Sequence, residues 1–158
     1  KCLYNSLLYI NRNNAETKRY QEEGLKLLSG KVDSLPSKIA FRPKFIKQSS
    51  CIKVFDKLYL FISKANIKKP LEERFDALFH EIGHWLHFQN IPPLKECREI
   101  WKTANLEKIK EDVSEYAVKK DDGREFVAEV FKGLIKGKKY DEYIMNLYKR
   151  LHGPVPYD

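Results

Sequence analysis

Cysteine occurs only three times in this chain of 158 residues, as Cys2, Cys51 and Cys97, and no two of them form a CxxC pair. An odd, dispersed set does not outline a disulfide framework and suits reduced thiols in a reducing compartment; a single Cys51–Cys97 bridge stays open. No run approaches the roughly 18 consecutive apolar residues that a bilayer span requires, so no transmembrane helix is expected. There is no internal repeat and no low-complexity tract, which leaves neither a repeat array nor a disordered linker to account for. The sequence begins Lys-Cys-Leu and not with Met, pointing to a processed product or a piece of something longer. A removed signal peptide would leave no trace. Cytoplasmic, virion-associated and secreted locations therefore all stay open.

What is present fits one globular unit. Hydrophobic residues make up 42% and aromatics 13%, enough for a real core and too many for disorder. A length of 158 residues points to a single domain over 1–158. Its formal charge is +8, from 30 Lys and Arg against 22 Asp and Glu. The lysines are scattered and not stacked at helical spacing, which disfavours nucleic acid and leaves a weak hint of an acidic protein partner. Oligomeric state is not legible.

Local patterns divide the chain into two halves. Asn14 precedes "AETKRYQEEGLKLLSG", and Gly30 is a stop, so 15–29 reads as a helix. "SKIAFRP" (37–43) and "CIKVFDKLYLFIS" (51–63) are rich in β-branched and aromatic residues, with Asp56 and Lys57 at a turn, and read as strands including a hairpin. From Pro70 onward the pattern is helical. A long helix runs to about Phe88, and four more lie in "IPPLKECREIWKTAN", "LEKIKEDVSEYAV", "DDGREFVAEVFKGLI" and "YDEYIMNLYKRLHG". A strand-containing part (about 1–66) followed by a helical half (about 70–154) predicts an α+β fold, a small sheet packed on a helical half.

The chemistry concentrates in His80-Glu81-Ile82-Gly83-His84. A scrambled chain of this composition would contain that HExxH pattern about 0.01 times, low for one protein but common across a proteome. On a helical wheel Leu71, Phe75, Leu78, Ile82, Trp85 and Leu86 form one apolar stripe. His80 and His84 fall nearly opposite, one turn apart, where both imidazoles can reach one ion. Glu81 lies at the flank beside His84, able to accept a proton from a water that zinc has acidified. The bland reading is a surface helix with a polar face. Gly83 counts against it, since glycine inside a helix costs about 1 kcal/mol relative to alanine and suggests that something packs close. His87, one turn beyond His84, reads as a partner of a ligand or as solvated, and not as a third ligand. The extended HExxHxxGxxH form is absent.

A third ligand must come from elsewhere, and "GREFVAEVF" (123–131) is the candidate. Glu125 and Glu129 share a face one turn apart. Glu125 would complete a two-histidine, one-carboxylate set and leave a fourth position open for water. Glu129 could accept the free ring N–H of a ligand histidine. The competing reading makes Glu125 the N3 member of a capping box after Asp122.

Taken together, "HEIGHWLH" and "DVSEYAVKKDDGREFVAEVF" resemble gluzincin-like zinc metallopeptidases. They are similar to the anthrax lethal factor catalytic domain, the Pro-Pro endopeptidases, and the metallopeptidase domains of phage head-morphogenesis proteins. The likeness covers roughly residues 70–154 and includes the tail "YIMNLYKRLHGP". It implies a zincin-like fold, Zn2+ bound by His80, His84 and Glu125, Glu81 as general base, and Tyr116 as the hydroxyl that stabilises the oxyanion. One departure is that nine positions separate Tyr116 from Glu125, with the extra residues in "KKDDG".

The resulting expectation is a zinc-dependent endopeptidase acting on a peptide or protein substrate, with an edge strand within "KLYLFIS" pairing an extended peptide. The alternative is a non-catalytic structural or adaptor domain of a phage or mobile-element protein, with zinc as a clip.

Overall fold

A computed structural model describes residues 14–158. Cys2 lies outside the described residues, and Cys51 and Cys97 are not bridged. Helix α1 (Ala15–Leu28) starts where Asn14 accepts the Thr17 N–H at 2.9 Å while the Thr17 hydroxyl accepts the Asn14 N–H at 2.9 Å. This reciprocal pair satisfies two of the donors that a helix start leaves free.

Three strands follow: β1 (Ala40–Arg42), β2 (Ser50–Val54) and β3 (Lys57–Ser63), in the order β1-β3-β2. β1 runs parallel to β3 and β2 antiparallel to it. The hairpin turn is Phe55-Asp56, one residue earlier than the sequence suggests, because Val54 pairs with Lys57. Phe55 takes the left-handed conformation (φ 53) that glycine usually fills, with its ring 93% exposed. "KLYLFIS" is therefore not an edge, contrary to expectation. Its main chain is paired on both sides, and β1 and β2 are the edges.

The helix expected from Pro70 to Phe88 is two helices, α2 (Leu71–Arg74) and α3 (Asp76–Phe88), separated by Phe75 at φ −105, ψ 7. The carbonyl of Arg74, which an unbroken helix would bond four residues on, instead accepts from the Tyr20 hydroxyl at 2.7 Å. The Tyr20 ring stacks on Phe75 at 4.9 Å. Packing of α1 therefore breaks the helix just before the histidines. Leu71, on the far side of the break, drops out of the buried stripe and is 68% exposed. Phe75, Leu78, Ile82 and Leu86 remain in it.

Helices α4 (Leu94–Lys102), α5 (Leu106–Asp112), α6 (Arg124–Ile135) and α7 (Glu142–Arg150) complete the helical half. The helix expected to include "EYAV" stops at Asp112, and Tyr116–Val118 forms a separate 3-10 turn. The α+β class is borne out: a small three-stranded sheet with helices. α3 packs on β2 and β3 and also, extensively, on α6. Among the described residues, no helix is long and apolar enough to cross a membrane.

The α3–α6 crossing is close because Gly83 sits in it. A Cβ at that position would lie 3.2 Å from the Ala128 Cα and 3.2 Å from the Phe131 Cβ. Gly83→Leu should therefore destabilise the fold by about 1–3 kcal/mol through overpacking. Urea unfolding would show a lowered midpoint at unchanged slope; an unchanged midpoint would contradict this crossing.

Candidate metal centre

α3 and α6 bring together the residues that the motifs singled out. His80 and His84 are each 8% exposed, buried and not on the open polar face that the wheel alone allows, because α6 covers them. Their rings lie 4.8 Å apart, edge to face. Glu125, in the first turn of α6, spans them: Oε2 is 3.0 Å from His80 Nε2, and Oε1 is 2.9 Å from His84 Nε2. One donor atom from each of the three residues lies within 4.8 Å of the others, a group that could hold a metal ion.

The competing capping reading fails on geometry. α6 is preceded by Gly123 at φ 78, and Asp122 Oδ1 accepts the Arg124 N–H at 3.1 Å. The Glu125 carboxylate is turned onto the histidines.

Glu129 occupies the place expected of it. Its Oε2 lies 2.8 Å from His80 Nδ1. An ionised carboxylate only accepts, so Nδ1 donates to Glu129 and Nε2 donates to Glu125; it is the Nε2 hydrogen that a metal ion would displace. Two groups not anticipated hold Glu129 in turn. The Ser114 hydroxyl donates to Oε1 at 2.8 Å, and Lys132 Nζ lies 2.8 Å from Oε2. Ser114 also accepts the Ala117 N–H at 3.2 Å, so one hydroxyl joins Glu129 to the turn that carries Tyr116. Lys132 was readable as an i+3 partner on the same helix. Ser114 has no spacing rule that would expose it.

The electrostatics follow from burial and pairing. Burial alone would lower the His80 pKa, but its hydrogen bonds to Glu125 and Glu129 outweigh this and raise it to about 9. Burial would raise both carboxylates. The His80 and His84 bonds instead hold Glu125 well below the usual range, and those from His80 and Lys132 bring Glu129 to about 2. Glu81 differs. Burial pushes its carboxyl up, and its Oε2 has no hydrogen-bond partner. His84 Nδ1 is also buried without one. Buried polar atoms are nearly always paired, and two of the three unpaired buried side-chain atoms found among the described residues, the other being Asn66 Oδ1, fall in this one cluster. The helix that carries Glu81 packs on β2 and β3.

Tyr116 joins the group. Its ring stands edge-on to His80 at 5.4 Å and is 46% exposed. Burial, then the charges of Glu125, Glu81 and Glu129, raise its pKa, so the phenol stays a hydrogen donor.

His87 does not join it, and it is neither solvated nor a partner of a ligand. It is 1% exposed, and its Nε2 donates to the Leu151 carbonyl at 2.7 Å, tying α3 to the C-terminal segment.

No family model, curated protein or solved structure matches the chain.

Two outcomes are expected. In a Co2+ titration, Glu129→Gln should weaken metal binding about 10–100-fold by loosening His80, and Glu125→Ala should weaken it more; equal affinities would contradict the assignment. The second concerns His87, which burial holds neutral down to about 4. A histidine in the unfolded chain takes up a proton near pH 6.5, so between these values the unfolded state binds more protons and stability rises with pH. The His87 contribution is complete above about 6.5 and is lost as pH falls toward 4, by about 2 kcal/mol at pH 5. His87→Gln keeps a donor for Leu151 but does not titrate. Urea unfolding in chelator at pH 7.5 and 5 should show the smaller acid loss in the variant, and identical losses would contradict it.

Proposed function

We propose that this chain is a zinc-dependent endopeptidase with a zincin-like arrangement of sheet and active-site helix. The observation that carries the reading is the Glu81 carboxyl, buried with its Oε2 unpaired, on the helix that carries two members of a two-histidine, one-glutamate group. Two imidazoles and a carboxylate suit zinc, and three protein donors are the set of a catalytic site, whereas a structural zinc is closed by four. Among the described residues the group has three members. That favours catalysis over a zinc clip in a structural or adaptor domain.

His80, His84 and Glu125 would hold the ion. Bound there, zinc supplies a Lewis acid that polarises a carbonyl and lowers the pKa of water toward about 7. Everything else is done by the chain. β2, an edge strand on which α3 packs, would offer main-chain groups to an extended peptide. Glu81 takes the proton of the attacking water and returns it to the leaving amine. The Tyr116 phenol donates to the oxygen on which negative charge develops. Glu129, braced by Ser114 and Lys132, keeps the His80 ring in place.

Glu81→Gln separates binding from chemistry. The variant should retain about one zinc per chain while kcat/KM on a peptide library falls about 10²–10⁴-fold. Undiminished cleavage in the variant, or no cleavage by the zinc-loaded parent, would refute the proposal.

A further inference from the structure

Lysine and arginine residues that look scattered along the sequence converge at one place beside the site. A pocket of about 380 Å3 is lined by Arg98 and Lys102 of α4 and by Lys119 and Lys120 of the loop after the 3-10 turn. Arg98 and Lys102 are one helical turn apart, and all four cations are exposed. Trp101, 6% exposed, and the half-buried Val118 supply an apolar lining, and Asp121 is the one acid among the lining residues. Lys102 pairs with Glu99 at 3.0 Å, both well exposed. Among the described residues, Lys119 and Lys120 make no ion pair.

The pocket adjoins the proposed catalytic face through Tyr116. Val118, in its wall, ends the turn that Tyr116 begins. Lys119 Nζ lies 4.9 Å from the centre of the Tyr116 ring, the same ring that stands 5.4 Å from His80. The concavity thus begins two residues past Tyr116, at Val118, and its lining holds four cations and one acid.

We propose that this pocket is a substrate subsite that receives an acidic side chain, Asp or Glu, of the peptide on one side of the scissile bond. The inference rests on the peptidase reading and names the substrate class that reading leaves open. A carboxylate would pair with one or two of the rim cations while its methylene stem lies on Trp101 and Val118. Nucleic acid fits less well. Tight binding to a duplex needs a track of roughly 6–10 phosphate contacts, and here the cations surround one small, partly apolar concavity.

The test uses zinc-loaded Glu81→Gln protein, alone and combined with Lys102→Glu and Lys120→Glu. Neither lysine belongs to the catalytic group, and both are exposed. Fluorescein-labelled (Ala-Glu)5 and (Ala-Gln)5 peptides serve as probes in an anisotropy titration. The charge reversals should weaken (Ala-Glu)5 binding about tenfold and leave (Ala-Gln)5 unchanged, with the difference shrinking as salt rises. Equal affinity for the two peptides, or an acidic preference that the reversals leave intact, overturns the subsite. So does a random DNA duplex that binds more tightly than (Ala-Glu)5 and loses that binding on charge reversal, since the pocket would then serve nucleic acid. The peptidase reading fails separately, if zinc-loaded protein with Glu81 intact cleaves no peptide in a mixed library. The binding titration still decides the pocket in that event.

Discussion

The closeness of α3 to α6 is the constraint on which the site depends. Two helices with ordinary side chains at the crossing stand 8–10 Å apart, and Gly83 against Ala128 removes the bulk from the nearest point. The first turn of α6 is thereby brought onto the polar face of α3. Glu125 then reaches both histidines with one carboxylate, and Glu129, a turn later, reaches the other nitrogen of His80. The break at Phe75 belongs to the same design: it lets α3 take its own direction over β2 and β3 while α1 clamps the start through Tyr20.

Bringing several ionisable groups into one buried patch is costly unless their charges are matched. The match here is layered. Each carboxylate that is hydrogen-bonded to histidine is held ionised, Lys132 adds a cation on the outer side of Glu129, and Ser114 uses the remaining carboxylate oxygen. Glu81 is left out of this network, and its carboxyl is the one pushed upward. A structural ion-pair cluster would be expected to pair that group as well. Its Oε2 stays free of the hydrogen bonds that fix Glu125 and Glu129 in place.

Legibility in the sequence followed the range of the interaction. The Asn14 cap, the spacing of His80 and His84, and the shared face of Glu125 and Glu129 are local, and the structure places them as the spacing implies. Gly83 announced a close neighbour but could not say that it was Ala128. The edge of the sheet was misread, because strand order depends on β1 pairing across a connection of more than a dozen residues, which no alternation pattern encodes. The continuous helix through Phe75 failed for a similar reason: the aromatic partner that interrupts it lies 55 positions upstream, at Tyr20. His87 looked like part of the site from its spacing alone. Only the position of the Leu151 carbonyl turns it into an anchor for the C-terminal segment. The basic pocket was invisible because its two halves are separated by the whole of α5.

α3 and α6 together bring His80, His84 and Glu125 into one group that could hold a metal ion with three protein donors. Visible absorption of the Co2+-substituted protein tests this most directly. At one equivalent of metal the spectrum should show the intense d–d bands of a low-coordinate nitrogen and oxygen site, and a small anion should perturb them. Weak bands like those of the hydrated ion, or a spectrum unchanged in Glu125→Ala, would contradict it.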